Sequence, residues 1–260
     1  VSSEDGGSAE AGNGEGGAAA RNAARRARIE ELRAAEKARA KKRRTILVLA
    51  AVVVVALVAG GILWATTRPS FCGNVASGSP DGKQWKSAPA MSIDTSANNS
   101  ATLKTSCGDI GIRLDAENAP QTVNSFVYLA KQDYFDHTRC HRLTTSGIYV
   151  LQCGDPTGTG SGGPGYTLPD EYLKDPAIQG GSYPAGTVAM ANTGAAHTGG
   201  SQFFLVYRAS QLAASYTPFG TITSGLDILQ HIAGNGVQGG GSDGAPKDKV
   251  AINSVAVTKD

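Results

Sequence analysis

Charged residues are few in this chain, 18% of 260 residues against roughly 25% in an average protein, and they nearly cancel to a formal +2. Beyond residue 67, thirteen Lys and Arg stand against fifteen Asp and Glu, which excludes a basic nucleic-acid footprint on that part. Aromatic residues amount to 6%, and the first twenty positions contain none, with Val1 the one aliphatic side chain larger than alanine. Such a segment cannot bury enough surface to offset the entropy of ordering its backbone, so residues 1–20 are expected to be disordered. No internal repeat is evident, which removes solenoid architectures. At roughly 100 to 200 residues per domain the length excludes a multidomain assembly. Cysteine is missing before residue 72.

Glycine, by contrast, is abundant: 34 residues, about twice the usual share of roughly 7%, which suits a loop-rich globular domain. Residues 21–44 hold eleven Lys and Arg against three Glu, set among alanines, all strong helix formers without a hydrophobic stripe. A solvated basic helix is expected there. Ile46 to Ala65 is twenty residues with no charge, ~30 Å of helix at 1.5 Å per residue, and reads as one transmembrane span. Lys41, Lys42, Arg43 and Arg44 abut its start and only Arg68 lies near its end, so the positive-inside bias puts the N-terminus in the cytoplasm and Trp64 at the outer interface. The competing reading is a cleaved signal peptide with Ala59-Gly60-Gly61 as its small-residue site. The apolar run exceeds the usual 7 to 15 residues of a signal core and follows a long preamble, which favours an uncleaved anchor. Residues 68–90, with Pro69, Gly73, Pro80, Gly82 and Pro89, lack periodicity and read as a flexible linker.

Residues 91–260 are long enough for one substantial core. Ala101 to Ser106 and Ile110 to Leu114 alternate about Cys107-Gly108-Asp109, predicting a β-hairpin. Pro120 opens a helix with Val123, Phe126, Val127 and Ala130 on one face. Strands are expected at Cys140 to Thr144, Ile148 to Cys153, Thr187 to Ala191, Phe203 to Tyr207 and Val250 to Val257, with a short helix at Gly225 to Ala233. Many short strands with two helices favour a closed, all-β structure over a parallel α/β sheet.

Three motifs fail on inspection. Gly158, Gly160 and Gly163 match a dinucleotide fingerprint, but Pro164-Gly165 cannot open the helix it needs. His137 and His141 have a metal-like spacing with no carboxylate nearby to complete a site. Gly199-Gly200-Ser201-Gln202-Phe203 breaks the nucleophile-elbow pattern at its last position. No metal and no cofactor are expected.

What remains is concentrated in three stretches: Cys140-His141-Arg142-Leu143 running to Leu151-Gln152-Cys153-Gly154-Asp155, then Gly186 to Asn192, then Gly200-Ser201-Gln202-Phe203-Phe204. Together they strongly resemble the cyclophilin family of peptidyl-prolyl isomerases in a membrane-anchored bacterial form, over about Ala101 to Val257 and including Phe219-Gly220. The resemblance implies an eight-stranded antiparallel β-barrel with two capping helices and a substrate groove on its outer wall. It puts the family's catalytic arginine at Arg142, its glutamine at Gln152 and its pocket phenylalanine at Phe204. Met190 and Leu212 match apolar members of the proline pocket, Ala191, Asn192 and Gln202 the groove lining, and Tyr149 a second phenylalanine. Gln211 replaces a common tryptophan and Tyr216 a common histidine, departures that bear on specificity.

The implied partners are Pro-containing unfolded or extended polypeptide segments, met by a monomer tethered to the membrane, with no nucleic acid. A non-catalytic module that binds Pro-containing segments is the alternative, which retention of Arg142, Gln152 and Phe204 disfavours. Cys72, Cys107, Cys140 and Cys153 all follow the span, where an oxidising compartment permits disulfides, and at least one is expected. Cys140 and Cys153 flank a hairpin, but strand alternation that puts Arg142 and Gln152 on one face puts these two on opposite faces, so their pairing needs a bulge. Connectivity stays open.

Overall fold

The computed structural model describes residues 14–67, 71–73 and 75–259, and the side-chain surroundings of all these but 14–20, 23 and 61–67. The chain divides into two units, Val1–Arg68 and Pro69–Asp260.

Among its described residues the first unit is one helix, α1 (Gly14–Thr67), 54 residues and so roughly 80 Å long. It runs through the basic and the apolar stretches alike because neither holds a proline. The expected disorder does not extend to residues 14–20, where Ala18 to Ala20 continue the run of helix formers, and the rest of that expectation, residues 1–13, lies outside the described residues. Ala24–Gly60 is long and apolar enough to cross a membrane, and none of it is buried; Leu57 is 71% exposed. From Ile46 onward its side chains are apolar on every side, the composition of a membrane anchor or of a signal sequence. Trp64, expected at the interface, lies outside the residues whose side chains are described.

In the second unit, β1 (Asn99–Thr105) and β2 (Gly108–Leu114) make the expected hairpin, followed by α2 (Pro120–Lys131). Then come β3 (Thr138–Arg139), β4 (Arg142–Thr144), β5 (Val150–Cys153), β6 (Ser182–Tyr183), β7 (Thr187–Met190), β8 (Phe203–Val206) and β9 (Ser210–Gln211). β10 (Pro218–Ser224), α3 (Leu226–Asn235), β11 (Asp243–Gly244) and β12 (Ala251–Lys259) complete it. β10 escapes a pattern search because Pro218 and Gly220 read as breakers; the proline is tolerated as a first strand residue.

All ladders are antiparallel, in the order β11-β4-β5-β8-β7-β10-β2-β1-β12-β3, with β6 and β9 paired separately. Eight strands carry this sheet, and the two-residue β3 and β11 extend its ends. β3 and β4 lie eight strand spacings apart in that order, roughly 38 Å if flat, yet Arg139 and Arg142 are joined by a stretch that spans at most roughly 11 Å. The sheet must therefore curl until its two edges meet.

Curling defines an inside. Leu143, Leu151, Cys153, Val188, Phe203, Leu205 and Phe219 point inward to one core, joined there by Val123, Phe126, Leu129 and Ala130 of α2. Phe126 meets Phe135, Phe203 and Phe219 at centroid distances of 5.1 to 5.5 Å. The N-terminus of α2, which has no side-chain cap of its own, is satisfied by Glu171: its carboxylate accepts from Gln121 N at 3.1 Å and Thr122 N at 2.8 Å.

Cys72 pairs with Cys107 and Cys140 with Cys153. Strand alternation does not separate the second pair, because Cys140 is not in a strand: it sits in the two-residue join between β3 and β4, its N–H bound to Val250 O. Freed from the pleat, it turns inward to Cys153 and staples the seam of the sheet.

Of residues 68–90, expected as a flexible linker, 72–73 and 75–90 lie along the domain instead. Beyond Cys72, Ala76 N donates to Asn253 Oδ1 at 3.1 Å, Trp85 packs against Tyr128 and Tyr134, and Asn124 Nδ2 donates to Pro89 O and Ala90 O. One buried disulfide and one half-buried indole suffice to hold a segment that has no periodicity to read.

Candidate active site

Strands β5, β7 and β8 are buried on both faces. In β8 all four residues are buried: Phe203 and Leu205 face the inner core, and Phe204 and Val206 face outward. A continuous apolar run in a strand needs a cover on each side. On the outer side it is supplied by the β6–β9 pair and the segments around it, giving a second cluster of Val150, Ile178, Tyr183, Ala189, Phe204 and Val206, with Ala191, Leu212, Ala214 and Tyr216 at its margin.

Tyr183 holds this cover in place. Its Oη donates to Tyr216 O at 2.8 Å and accepts from Tyr216 N at 3.1 Å, and burial pushes its phenol up to about 12, so it stays a neutral donor at physiological pH. Tyr216 in turn sets its ring edge-on to Phe204, centroids 5.4 Å apart.

Register carries polar groups to the edge of this cluster. Arg142 is directly opposite Gln152, Gln152 opposite Phe204, and Phe204 opposite Ala189, so four strands line these side chains up on the outer face. Arg142 is 39% exposed. Its Nε and Nη2 donate to the two oxygens of Asp243 at 2.8 and 2.7 Å, and Nη1 reaches Gln152 Oε1 at 3.4 Å. Gln152 Nε2 donates to Gln202 Oε1 at 2.9 Å, and Gln202 Nε2 to Gly162 O at 2.9 Å. The hydrogen bonds to Asp243 raise the Arg142 pKa further, and Arg142 holds Asp243 below the usual carboxylate range. The row thus ends in a fixed cation with donors to spare.

Beyond Gln152 and Gln202 opens a groove of about 780 Å³, also bordered by Ala191, Asn192, Gly162 and Pro164. One wall is the 155–163 loop, wrapped on Asp155, whose carboxylate accepts from Thr157 N, Thr159 N and Gly160 N at 2.7, 3.1 and 2.6 Å. Gly154 makes the turn into it at φ +86°, and a Cβ there would lie 2.3 Å from Ser201 O, so only glycine fits between Gln152 and the loop.

Of the residues singled out by sequence, Arg142, Gln152, Gln202, Phe204, Ala191, Leu212 and Tyr216 come together here, with Asn192 bridging to Ser215 O at 2.8 Å on the groove margin. Met190 does not. It sits opposite Phe203, 4% exposed in the inner core, because it is one residue out of phase with the outward Ala189. Tyr149 packs on Tyr207 at 6.0 Å under the Arg208 guanidinium, outside the pocket cluster, and the Gln211 side chain is exposed on β9. Three residues went unread. Val150 could have been found, since alternation puts it on the face of Gln152. Tyr183 and Asp243 reach the site from distant segments and leave no local signal.

Comparison with known proteins adds the family. A sequence model described as cyclophilin type peptidyl-prolyl cis-trans isomerase/CLD matches residues 100–257. A probable peptidyl-prolyl cis-trans isomerase B of Mycobacterium tuberculosis is 51% identical over 169 residues, 60% of this chain and 53% of that one. Its namesake in Mycobacterium leprae is 49% identical over 169 residues, again 60% of this chain and 56% of that one. The chain thus spans about half the length of these relatives. A peptidyl-prolyl cis-trans isomerase of Helicobacter pylori is 40% identical over 135 residues, 51% of this chain and 78% of that one. Among solved structures, a Cryptosporidium parvum cyclophilin type peptidyl-prolyl cis-trans isomerase superposes with a TM-score of 0.53 at 26% identity, covering 63% of this chain and 99% of its own. The same protein determined in the presence of the dipeptide Ala-Pro gives 0.52 at 26% identity, covering 62% of this chain and 99% of its own.

Proposed function

We propose that this chain, which belongs to the cyclophilin-type peptidyl-prolyl cis-trans isomerase family, catalyses cis-trans isomerisation of X-Pro bonds in extended or unfolded polypeptides. The observation that carries the reading is the row Arg142, Gln152, Phe204 beside the outward apolar cluster. An X-Pro amide resists rotation by roughly 18–20 kcal/mol because its nitrogen lone pair is delocalised into the carbonyl. Catalysis needs no nucleophile, only tighter binding of the twisted amide than of either planar form. Phe204, Val150 and Leu212 receive the proline ring. Arg142, which cannot give up its proton, donates to the nitrogen lone pair that the twist sets free. Gln152, Gln202 and the main chain of Ala191 and Asn192 hold the flanking peptide. The Ala-Pro dipeptide used with the Cryptosporidium protein accords with a proline-containing ligand. An isomerisation assay on a short X-Pro peptide tests the reading: catalysis is expected, and binding without acceleration would leave a recognition module.

Asp243 acts here as a positioning residue. Its two oxygens engage the Nε and Nη2 edge of the guanidinium, so the Nη1 edge is turned to the substrate. Asp243→Asn is expected to lower kcat about two- to fivefold with KM nearly unchanged, the size of one partly exposed charge-assisted pair. Asp243→Glu should recover part of the loss. Because Asp243 is held below the ordinary range, the pair in the parent survives as pH falls through about 3.9 and breaks only below it. An equal rise in KM, or no change in kcat, would remove Asp243 from the mechanism.

With Lys41 to Arg44 at the start of the apolar run, the N-terminal segment lies in the cytoplasm, α1 anchors the chain, and the isomerase domain acts on proteins outside the membrane as a monomer. The two disulfides accord with an oxidising compartment. Protease added to intact, wall-stripped cells should remove the domain; cleavage only after lysis would reverse the orientation.

A further inference from the structure

The groove beside Gln152 and Gln202 is closed on one side by a residue that precedes the family-matched region. Gln84 lines it together with Gln152, Gly162, Pro164, Asn192 and Gln202, although the match begins only at residue 100. Its position is fixed from both sides. Trp85 N donates to Pro164 O at 2.8 Å, and the Trp85 indole sits against Tyr128 and Tyr134 at 5.6 and 5.7 Å. Gly165, at φ +88°, receives the segment so closely that a Cβ would stand 2.6 Å from Trp85 O and 3.1 Å from Gln84 Cβ. Upstream the Cys72–Cys107 disulfide anchors the same segment, and downstream Asn124 holds Ala90 O at 3.1 Å.

The geometry points to the 75–90 segment as a structural part of the substrate site, with Gln84 a specificity-determining residue for chain that flanks the isomerised proline. The inference rests on the isomerase reading above and extends it to the substrate's length and charge. A single X-Pro unit is accommodated by the apolar cluster and Arg142. A longer substrate must continue along the outer face, and the open space next to Gln152 is this groove. None of the side chains that line it is charged; they are Gln, Asn, Ser, Thr, Tyr, Pro, Ala and Gly. The chemistry it suits is an extended, uncharged polypeptide segment, and Gln84 presents an amide from the far wall to that segment.

The absence of charge makes the test clean. In the full-length oxidised protein, the parent, Gln84→Glu and Gln84→Lys are compared on a peptide panel. One member is a short uncharged X-Pro peptide. The others carry a single Lys or Glu two to four residues before or after the proline. At one or more of these positions, Gln84→Glu should raise kcat/KM for the Lys peptide and lower it for the Glu peptide, by about two- to fivefold each way, as for a partly exposed ion pair. Gln84→Lys should do the reverse, and the short peptide should respond least. The reversal should shrink at high salt. If both variants treat every charged peptide as the parent does while the parent isomerises the short one, Gln84 is no part of the substrate site and the isomerase reading stands. If the parent isomerises none of the panel, that reading falls and this inference with it.

Discussion

Arg142→Ala should lower kcat/KM on an X-Pro peptide by about 10² or more with the domain still folded. Loss of one preorganised donor to developing charge typically costs roughly 2.7–4 kcal/mol, and each 1.36 kcal/mol is a factor of ten. The fold should tolerate the change because the side chain is on short strand β4 and 39% exposed, so truncation opens no cavity in the inner core. Asp243, left without its partner, is 53% exposed and is resolvated at little cost, and Gln152 keeps its bond to Gln202. Arg142→Lys should rescue poorly for a geometric reason. The guanidinium reaches Asp243 with one edge and Gln152 with the other, whereas a single ammonium cannot grip Asp243 and also face the substrate. The measurement is kcat/KM by an isomer-specific coupled assay or by exchange spectroscopy, with circular dichroism alongside. Activity within twofold of the parent at unchanged dichroism would exclude Arg142 from the chemistry.

Removing the disulfides should produce the largest loss of stability. The Cys140–Cys153 bridge closes a 13-residue separation and Cys72–Cys107 one of 35. On the chain-entropy account these constrain the unfolded state by about 3 and about 4 kcal/mol respectively. For a domain of this size 1 kcal/mol shifts Tm by roughly 2–4 °C, so Cys140→Ser with Cys153→Ser should lower Tm by about 6–12 °C. That pair should also lower activity, since Cys140 precedes Arg142 by two residues and Cys153 follows Gln152 directly, at the seam that brings β4 to β5. The Cys72→Ser, Cys107→Ser pair should instead loosen the segment that carries Gln84 and leave the Arg142 row in place. Thermal unfolding with and without reductant, with alkylation to count thiols, decides the matter. A Tm unchanged within about 2 °C in fully reduced protein, against the expected shift, would show that neither bridge bears on stability.

Periodicity and motif spacing, both local properties, are what the residues alone determined. The α2 face of Val123, Phe126, Val127 and Ala130 was readable because helical neighbours lie three and four apart, and that face is the one buried. The β1–β2 hairpin was readable from its alternation about a turn, whereas the eight-stranded fold came only with the resemblance to the family. Arg142, Gln152 and Phe204 were singled out by that resemblance, and the strand register then sets them opposite one another on a shared face.

Tertiary structure decided everything that depends on which face is inside and on what arrives from far along the chain. Met190 and Ala189 are adjacent in one buried strand, and only the pairing of β7 with β8 sends methionine to the core and alanine to the pocket. In a strand covered on both faces, composition no longer marks the direction. The Cys140–Cys153 pair depended on a two-residue break between β3 and β4 that exists because the sheet closes there. Asp243 meets Arg142 across 101 residues, and Gln84 reaches the groove through an indole and a disulfide. No pattern in the intervening sequence encodes such meetings. They follow from a curled sheet whose edges, loops and leading segment converge on one outer face, and from the burial of the few large side chains that hold them there.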